Sequence, residues 1–470
     1  MTDRKRIVIN PVTRLSGFME LDVSVENNKV VEAKTKGVMF RGFEQMMLGR
    51  SPFDAIYLTQ RICGICSTAH SVASSTALEE ALGVEVTEQG RYIRDIIHCC
   101  EFLQNHMRHF YQYSLPDFVK LPPEYPLFKP DHKDYRIPKE INDRLAAHYF
   151  ESLTYSRLSH QMLAVLGGKA PHNHGIFVGG FSTPPDVEQI VHIKSILDKV
   201  SYFIEYKMIP DTYTIAKYYP ELFKLGRGPG NFMSYGSFEG YKELGTLYAK
   251  PLVYHNGHYM PFESRYIEEK IRYSWYRGKE SAKPFEEMPE PDMDKEDAYS
   301  WVKAPRYNGS PMEVGPLARL WLSGEYRNGI SAMDRTIARS LEARKITDVM
   351  NILIENVTPG THVQKQWQIP DRAQGSGLIE TTRGSLGHWL KIEKKAISFY
   401  QIITPSAWDF SASDENSNGT AELALFDTTL ANPEYPVELG RILRSFDPCM
   451  SCATHVYRPG QKTKTWKVFG

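Results

Sequence analysis

The chain has 470 residues, 41% hydrophobic and 24% charged, and its 56 basic and 56 acidic side chains cancel to a formal net charge of zero. This is globular composition, long enough for a large core in two or three lobes, and the balanced charge removes any electrostatic case for nucleic acid or anionic lipid. No apolar run approaches the roughly 18 residues of a membrane span, and the start, MTDRKRIVIN, has a basic cluster without the apolar stretch or cleavage site of a signal peptide, so any export is expected to depend on a partner.

In chain order, residues 7–44 alternate apolar and polar side chains around ENNK, which predicts an antiparallel meander. From Pro52 the period changes to three and four residues. Helices are expected over 53–83, 91–115, 142–168, 186–209 and 331–357, with a last one over 436–446. Each must bury an apolar stripe, and no internal repeat relates them. The fold class expected is therefore α+β and mostly helical: a central bundle of long helices, the N-terminal β meander and smaller peripheral β elements. Residues 1–50 form the β region, 51–455 the helical body, and 456–470 a tail. The glycine-rich stretch LGRGPGNFMSYGSFEG (225–240) lacks the lysine-serine/threonine ending of a phosphate loop and reads as turns. The acidic, proline-punctuated 283–297 reads as a surface excursion, and 390–405 is strand-like.

Six cysteines are too few for a disulfide framework. Cys99 and Cys100 lie in a helical pattern and are expected to pack. The other four form two CxxC pairs, Cys63/Cys66 in RICGIC and Cys449/Cys452 in DPCMSC. The first sits on or near a helix and the second follows one, so a shared metal requires the fold to bring the two ends together. A structural zinc site normally has its halves within a couple of dozen residues, because the metal closes a small loop. A thioredoxin-like pair would follow a strand in a βαβ unit, and neither does. An Fe–S cluster or a thiolate-bound nickel or iron centre shares the remaining ground. Arg61 and His70 accompany the first pair, Asp447 and His455 the second. A catalytic thiolate-rich metal uses such hydrogen-bond donors around its sulfurs; a purely structural zinc does not need them.

RICGICSTAH (61–70) and DPCMSCATH (447–455) match RxCGxC…H and DPCxxCxxH, the two signature motifs of [NiFe]-hydrogenase large subunits. PVTRLSG (11–17), RGFE (41–44), GGKAPH with a following GG (167–172, 179–180), TRGSLGHW (382–389) and QIITPSAW (401–408) also resemble family segments in family order, so the resemblance covers nearly the whole chain. It implies that Cys63 and Cys449 are terminal nickel ligands and that Cys66 and Cys452 also bridge to an iron carrying cyanide and carbon monoxide. The implied reaction is reversible heterolytic cleavage of H2 to protons and electrons, expected in the uptake direction, with Cys449 as the candidate base. Arg383 matches the arginine overhanging the metals; a guanidinium only donates, so its expected role is to offset the anionic cluster, with Asp447 orienting it. Glu44, the backbone carbonyl of Ile402 and His455 are the implied ligands of a magnesium site. His70 is expected to hydrogen-bond a bridging sulfur, and His172 and His174 to lie at a partner interface.

Two residues depart from the family pattern. Ser16 stands where members commonly carry a proton-relaying glutamate, and Asn105 where they often carry an aspartate. Serine cannot hold a proton at a useful pKa, so protons pass it along a hydrogen-bond chain or leave by another route. Because one centre consumes all four motif cysteines, an Fe–S small subunit is the implied obligate partner. Nickel-insertion proteins and a maturation endopeptidase are implied too, the latter cutting between His455 and Val456 to remove VYRPGQKTKTWKVFG. The small subunit would place the protein at a membrane or on the periplasmic side; the alternative is cytoplasmic. The alternative function is a regulatory H2 sensor, although sensors typically end near the histidine. Subunits of the respiratory-complex type lack the cysteines that are present here.

Overall fold

The alternating N-terminal pattern folds as β1 (Arg4–Ile9), β2 (Met19–Glu26) and β3 (Lys29–Gly37), an antiparallel sheet in that order. Met19, Leu21, Val23 and Val25 are buried on one face of β2. Asn27 and Asn28 take positive φ (49° and 62°) between the paired Glu26 and Lys29, the two-residue turn expected at ENNK. The computed structural model describes residues 4–123, 132–278, 281–286 and 288–453. The meander stops at Gly37, short of the expected 44, and Glu44 stands instead on a short helix, α1 (Phe43–Met47).

The single helix expected over 53–83 is broken in two. α2 (Asp54–Thr59) ends in a 3-10 turn, Cys63 is extended (φ −148°, ψ 131°), and Cys66 is the N-cap of α3 (Ser67–Leu82). The break leaves Cys63 on extended backbone and puts Cys66 at the helix start, where its carbonyl accepts from His70 N (3.3 Å). α4 (Glu88–Arg108) begins where the Thr87 hydroxyl accepts from Gly90 N, and it continues as a π-helical stretch, His109–Ser114. α5 (Lys139–Gly167) follows, then the two-stranded β4 (Ile176–Phe177) and β5 (Gly180–Phe181). A capping box of Asp186 and Gln189 starts α6 (Val187–Phe203), which runs through a π-helical turn into α7 (Ile209–Tyr218).

The stretch read as turns contributes a strand, β6 (Phe232–Ser234), paired with β7 (Leu252–His255) and through it with β8 (His258–Pro261). β9 (Ile267–Lys270) is flanked by β10 (Ser281–Ala282) and β11 (Ala304–Tyr307). α8 (Pro316–Ser323) and α9 (Ala332–Asn356), the latter capped by Ser331, complete the bundle. The strand-like signal at 390–405 proves to be the end of a larger sheet, β12 (Arg372–Thr381), β13 (Gly384–Glu393) and β14 (Ala396–Ile403). Gly375 and Gly377 obscure β12 in the sequence; they are glycines because β12 lies directly on α3, where a Cβ would strike the backbone of Ala77 or Ala73. α10 (Pro405–Asp409), α11 (Thr420–Leu425), α12 (Val437–Ser445) and α13 (Met450–Ala453) close the chain.

The architecture is α+β, as expected. α4 packs against α5 and α9 around the largest apolar core, in which Cys99 and Cys100 are buried as packing residues. A second core lies under the meander. The third unites Phe43, Met47, Leu386, Tyr400 and Ile402 with all four motif cysteines. Backbone bonds join the chain ends there: Ser16 N donates to Pro448 O (3.2 Å) and Met450 N to Ser16 O (2.7 Å). Gly17 (φ 87°) follows, with no room for a Cβ against Met450 and Ser451.

Candidate metal centre

The four cysteine sulfurs lie within 4.8 Å of one another, all buried. Cys63 and Cys449 are 3.4 Å apart, Cys66 and Cys452 3.2 Å, Cys449 and Cys452 2.9 Å. These are contacts between free thiols, far beyond the roughly 2.05 Å of a disulfide. Ile65 N donates to Cys63 Sγ (3.3 Å), and Cys449 N donates to Ser406 Oγ (2.9 Å) at the start of α10. Hydrogen bonding from Cys449 and Cys452 pulls the Cys63 thiol well below its usual range, while the same mutual bonding pushes Cys66 up. Four soft donors converging in one buried cluster fit a thiophilic transition metal; magnesium and calcium would want oxygens.

Arg383 sits in the turn between β12 and β13. Its Nε donates to the Asp447 carbonyl (2.9 Å), and one Nη donates to both Asn105 Oδ1 (2.9 Å) and Asp447 Oδ1 (3.0 Å). The other, Nη1, is buried without a partner among the described residues, a spare donor. Burial opposes the guanidinium charge, but Asp447 and the sulfurs of Cys449, Cys66 and Cys63 outweigh it and raise the pKa well above the ordinary value. Asp447 takes a left-handed backbone (φ 63°). Burial would raise its pKa, yet Arg383, His109 and Arg339 hold it far below the carboxylate range. Asn105 Nδ2 donates to Asp447 Oδ2 (2.8 Å). The amide therefore accepts from the arginine and donates to the aspartate, which a carboxylate at position 105 could not do.

His70 Nδ1 lies 3.1 Å from His388 Nε2, and His388 Nδ1 lies 2.8 Å from the Tyr400 hydroxyl. Among the described residues His388 is the one hydrogen-bond partner of that buried hydroxyl, so the tyrosine donates and His388 carries its proton on Nε2. His388 then donates to His70 Nδ1, which leaves the His70 proton on Nε2. Burial lowers the His70 pKa to about 4, so one proton is all the ring carries near neutrality. His388 and Tyr400 went unnoticed in the sequence, although His388 lies within TRGSLGHW.

Arg41, of RGFE, is a third residue whose role the sequence hid. Its Nη2 donates to the carbonyls of both Ile62 and Ser451, tying the two cysteine loops together. Glu44 and Ile402 do meet: Ile402 N donates to Glu44 Oε1 (2.9 Å). A cavity of about 20 Å³ beside them is also lined by Glu269, Lys303, Thr404 and Cys452. Burial raises the Glu44 pKa, and Lys303 lies 3.7 Å from Glu44 and 3.1 Å from Glu269. The space suits one small ion or water. Ser16 reaches the centre through its backbone, with its hydroxyl 3.4 Å from Ser451 Oγ. His455 and Val456 lie outside the described residues. His174 packs edge-on to Tyr57 (6.3 Å), while His172 N donates to Ser67 Oγ (3.1 Å) in the first turn of α3.

The family described as nickel-dependent hydrogenase matches residues 41–123, 126–328 and 322–455. The periplasmic [NiFeSe] hydrogenase large subunit of Desulfomicrobium baculatum is 34% identical over 96% of this chain and 95% of its own length. The hydrogenase-2 large chain of Escherichia coli is 31% identical over 96% of this chain and 97% of its own. The Ni-Fe-Se hydrogenase of D. vulgaris Hildenborough in its reduced state superposes with a TM-score of 0.92 at 37% identity, covering 96% of this chain and 100% of that one. The chain therefore belongs to the nickel-dependent hydrogenase family, as a [NiFe]-hydrogenase large subunit and an enzyme acting on H2.

Proposed function

We propose that the chain is the catalytic subunit of an uptake hydrogenase that cleaves H2 heterolytically at a nickel–iron centre held by Cys63, Cys66, Cys449 and Cys452. The observation that carries this reading is the convergence of four buried sulfurs within 4.8 Å, beside a buried guanidinium with a spare N–H. When bound, the centre, whose iron bears cyanide and carbon monoxide, supplies soft, redox-active metals at which H2 is polarised and split. Cys63 and Cys449 would hold the nickel, and Cys66 and Cys452 would serve both nickel and iron. Cys449 holds the first proton on its sulfur, since a terminal thiolate can be protonated without leaving the metal. Arg383 stays charged and offsets the anionic cluster, positioned by Asp447 and Asn105. His70, with its proton on Nε2, donates toward a bridging sulfur. Glu44 and the Ile402 carbonyl, with His455, would hold magnesium.

Electrons leave to an Fe–S small subunit. Arg61 and Gly64 are exposed beside Cys63, and Phe18, Met46, Tyr57 and Trp367 are large exposed apolar side chains in neighbouring segments. His174 packs on Tyr57 in the same region. Relatives named as large subunits support the same partner. No helix among the described residues is long and apolar enough to cross a membrane, and one relative is named periplasmic. The name of that relative supports a place at a membrane or on the periplasmic side, reached through the small subunit. Nickel-insertion proteins and an endopeptidase acting at His455–Val456 complete maturation.

Metal analysis and infrared spectroscopy of the heterodimer test this reading. Nickel and iron in equal amounts, with cyanide and carbon monoxide bands, are expected, and Cys452→Ser should abolish both the bands and H2 oxidation, since a hard oxygen cannot bridge two soft metals in the same way. Zinc in place of nickel, without those bands, would sink it.

A further inference from the structure

One carboxylate ties together the two segments that meet at Cys449. We infer that Asp117 is a positioning residue for the metal centre: through Arg14 on one side and Arg444 on the other, it holds the loop of Ser16 and the turn of Cys449 in register. This inference rests on the hydrogenase reading above.

Asp117 ends the 3-10 turn Leu115–Asp117 that follows the π-helical stretch, and it is fully buried. Its Oδ1 accepts from Arg14 Nη2 (2.5 Å) and from Arg444 Nη2 (2.7 Å), and its Oδ2 accepts from Arg444 Nε (2.7 Å). Arg444 thus grips the carboxylate as a two-pronged fork, and Arg14 shares one of the same oxygens. The Asp117 carbonyl accepts from Arg441 Nη2 (2.7 Å), one turn before Arg444 on α12, so the backbone under the carboxylate is pinned as well. Burial opposes the charge, but Arg14, Arg444 and Arg441 hold the pKa far below the carboxylate range, so the tie stays charged at any working pH.

Each arm reaches the centre within a few residues. Arg14 has a left-handed backbone (φ 58°), an unfavourable conformation for an arginine, and its Nη1 donates to the Tyr113 carbonyl (2.9 Å). Two residues on, Ser16 N donates to Pro448 O (3.2 Å) and Ser16 O accepts from Met450 N (2.7 Å), a pair of bonds that flanks Cys449. On the other arm the Arg444 carbonyl accepts from His109 Nε2 (2.6 Å) and from Asp447 N (2.9 Å), and Asp447 binds Arg383 (3.0 Å). Arg444 Nη1 also donates to the Thr13 carbonyl (3.3 Å), so the two arms touch. Apolar packing leaves this junction loose on one side: a cavity of about 220 Å³ lies against it, lined by Val12, Thr13, Pro436, Gly440 and Arg444.

Only a carboxylate suits position 117, because all three side-chain contacts come from N–H donors and use both oxygens. An amide there would turn one oxygen into an NH2 facing a guanidinium donor, and it would remove the charge that balances Arg14 and Arg444. Arg14 would then lose its hold on the loop, and Ser16 would pass the slack to Pro448 and Met450. Cys449, between those two residues, would move with them. Misplacing a reacting group by about 1 Å can cost about a hundredfold in rate.

The test uses the nickel-loaded heterodimer. Amide hydrogen exchange, read by mass spectrometry on peptides covering Ser16 and Met450, reports whether the two segments stay joined, and infrared spectra report the centre between them. In Asp117→Asn both peptides are expected to exchange about tenfold faster. The cyanide and carbon monoxide bands should shift or broaden at unchanged nickel content, and H2/D2 exchange should fall by about tenfold to a hundredfold. Arg14→Lys keeps the charge but not the fork that reaches both Tyr113 and Asp117, so it should show a smaller change of the same kind. The double variant should fall short of the sum of the two, since both act through one contact. A lower melting temperature with unmoved bands and wild-type amide exchange would reduce Asp117 to a stabilising ion pair and overturn the inference. If Asp117→Asn does not load nickel, Arg14→Lys decides: faster exchange at Ser16 with moved bands supports the inference, and wild-type behaviour in both overturns it. A wild type without nickel or the diatomic bands defeats the hydrogenase reading instead.

Discussion

A tyrosine hydroxyl decides how His70 can act. With its pKa raised by burial, Tyr400 keeps its proton and gives it in a hydrogen bond to His388. The direction then propagates through two imidazoles, because each neutral ring has one donor and one acceptor. Tyr400→Phe should leave the four cysteines and the nickel content alone but free both rings to flip tautomer. The loss of one buried hydrogen bond is worth about 1 kcal/mol, or about fivefold in rate, so H2 oxidation should fall by that order, and the carbon monoxide and cyanide bands should shift or broaden. Unchanged bands and rate would mean that the tyrosine does not orient His70. Asn105 makes the same point: its amide fits between Arg383 and Asp447 because it can accept from one and donate to the other.

Element ends build the centre. Cys66 caps α3, Arg383 occupies the β12–β13 turn, Cys449 follows α12 and is held by Ser406 of α10. Residues at such ends keep free backbone groups and can be aimed by neighbouring segments, whereas mid-helix residues cannot. Two loops from opposite ends of the chain must nevertheless stay in register, and Arg41 bridges their carbonyls. Removing a charged donor from two carbonyls should cost about 3 kcal/mol. Arg41→Ala is therefore expected to melt several degrees lower and to load less nickel. Arg41→Lys should fall between, since an ammonium lacks the planar fork that reaches both. Thermal melts and nickel stoichiometry check this; full loading and a wild-type melt in Arg41→Ala would show the tie to be idle.

At the scale of the whole molecule, the N-terminal segment at Ser16 and the C-terminal segment 448–451 close on each other through backbone hydrogen bonds, and the cysteines of both ends share one buried core. Residues 456–470 lie outside the described residues. If they are a maturation tail, intact-mass measurement of active enzyme should show a chain ending at His455; active protein that retains VYRPGQKTKTWKVFG would reject the cut and weaken the magnesium assignment with it. By itself the sequence determined what depends on near neighbours: the helical and alternating periods, the ENNK turn, the packing role of Cys99 and Cys100, and four cysteines carried in two short motifs. Glu44 as a helix residue, the break ahead of α3 and the strand β12 were not legible, because glycines and short elements leave no period to read. Only the tertiary structure decided that His70 meets His388, 318 positions away, that Arg41 reaches Ser451, 410 positions away, and that Glu101 bonds the turn beside Cys66. Period reports which face of an element is buried, but the partner waiting there is set by packing between segments that the linear order keeps apart.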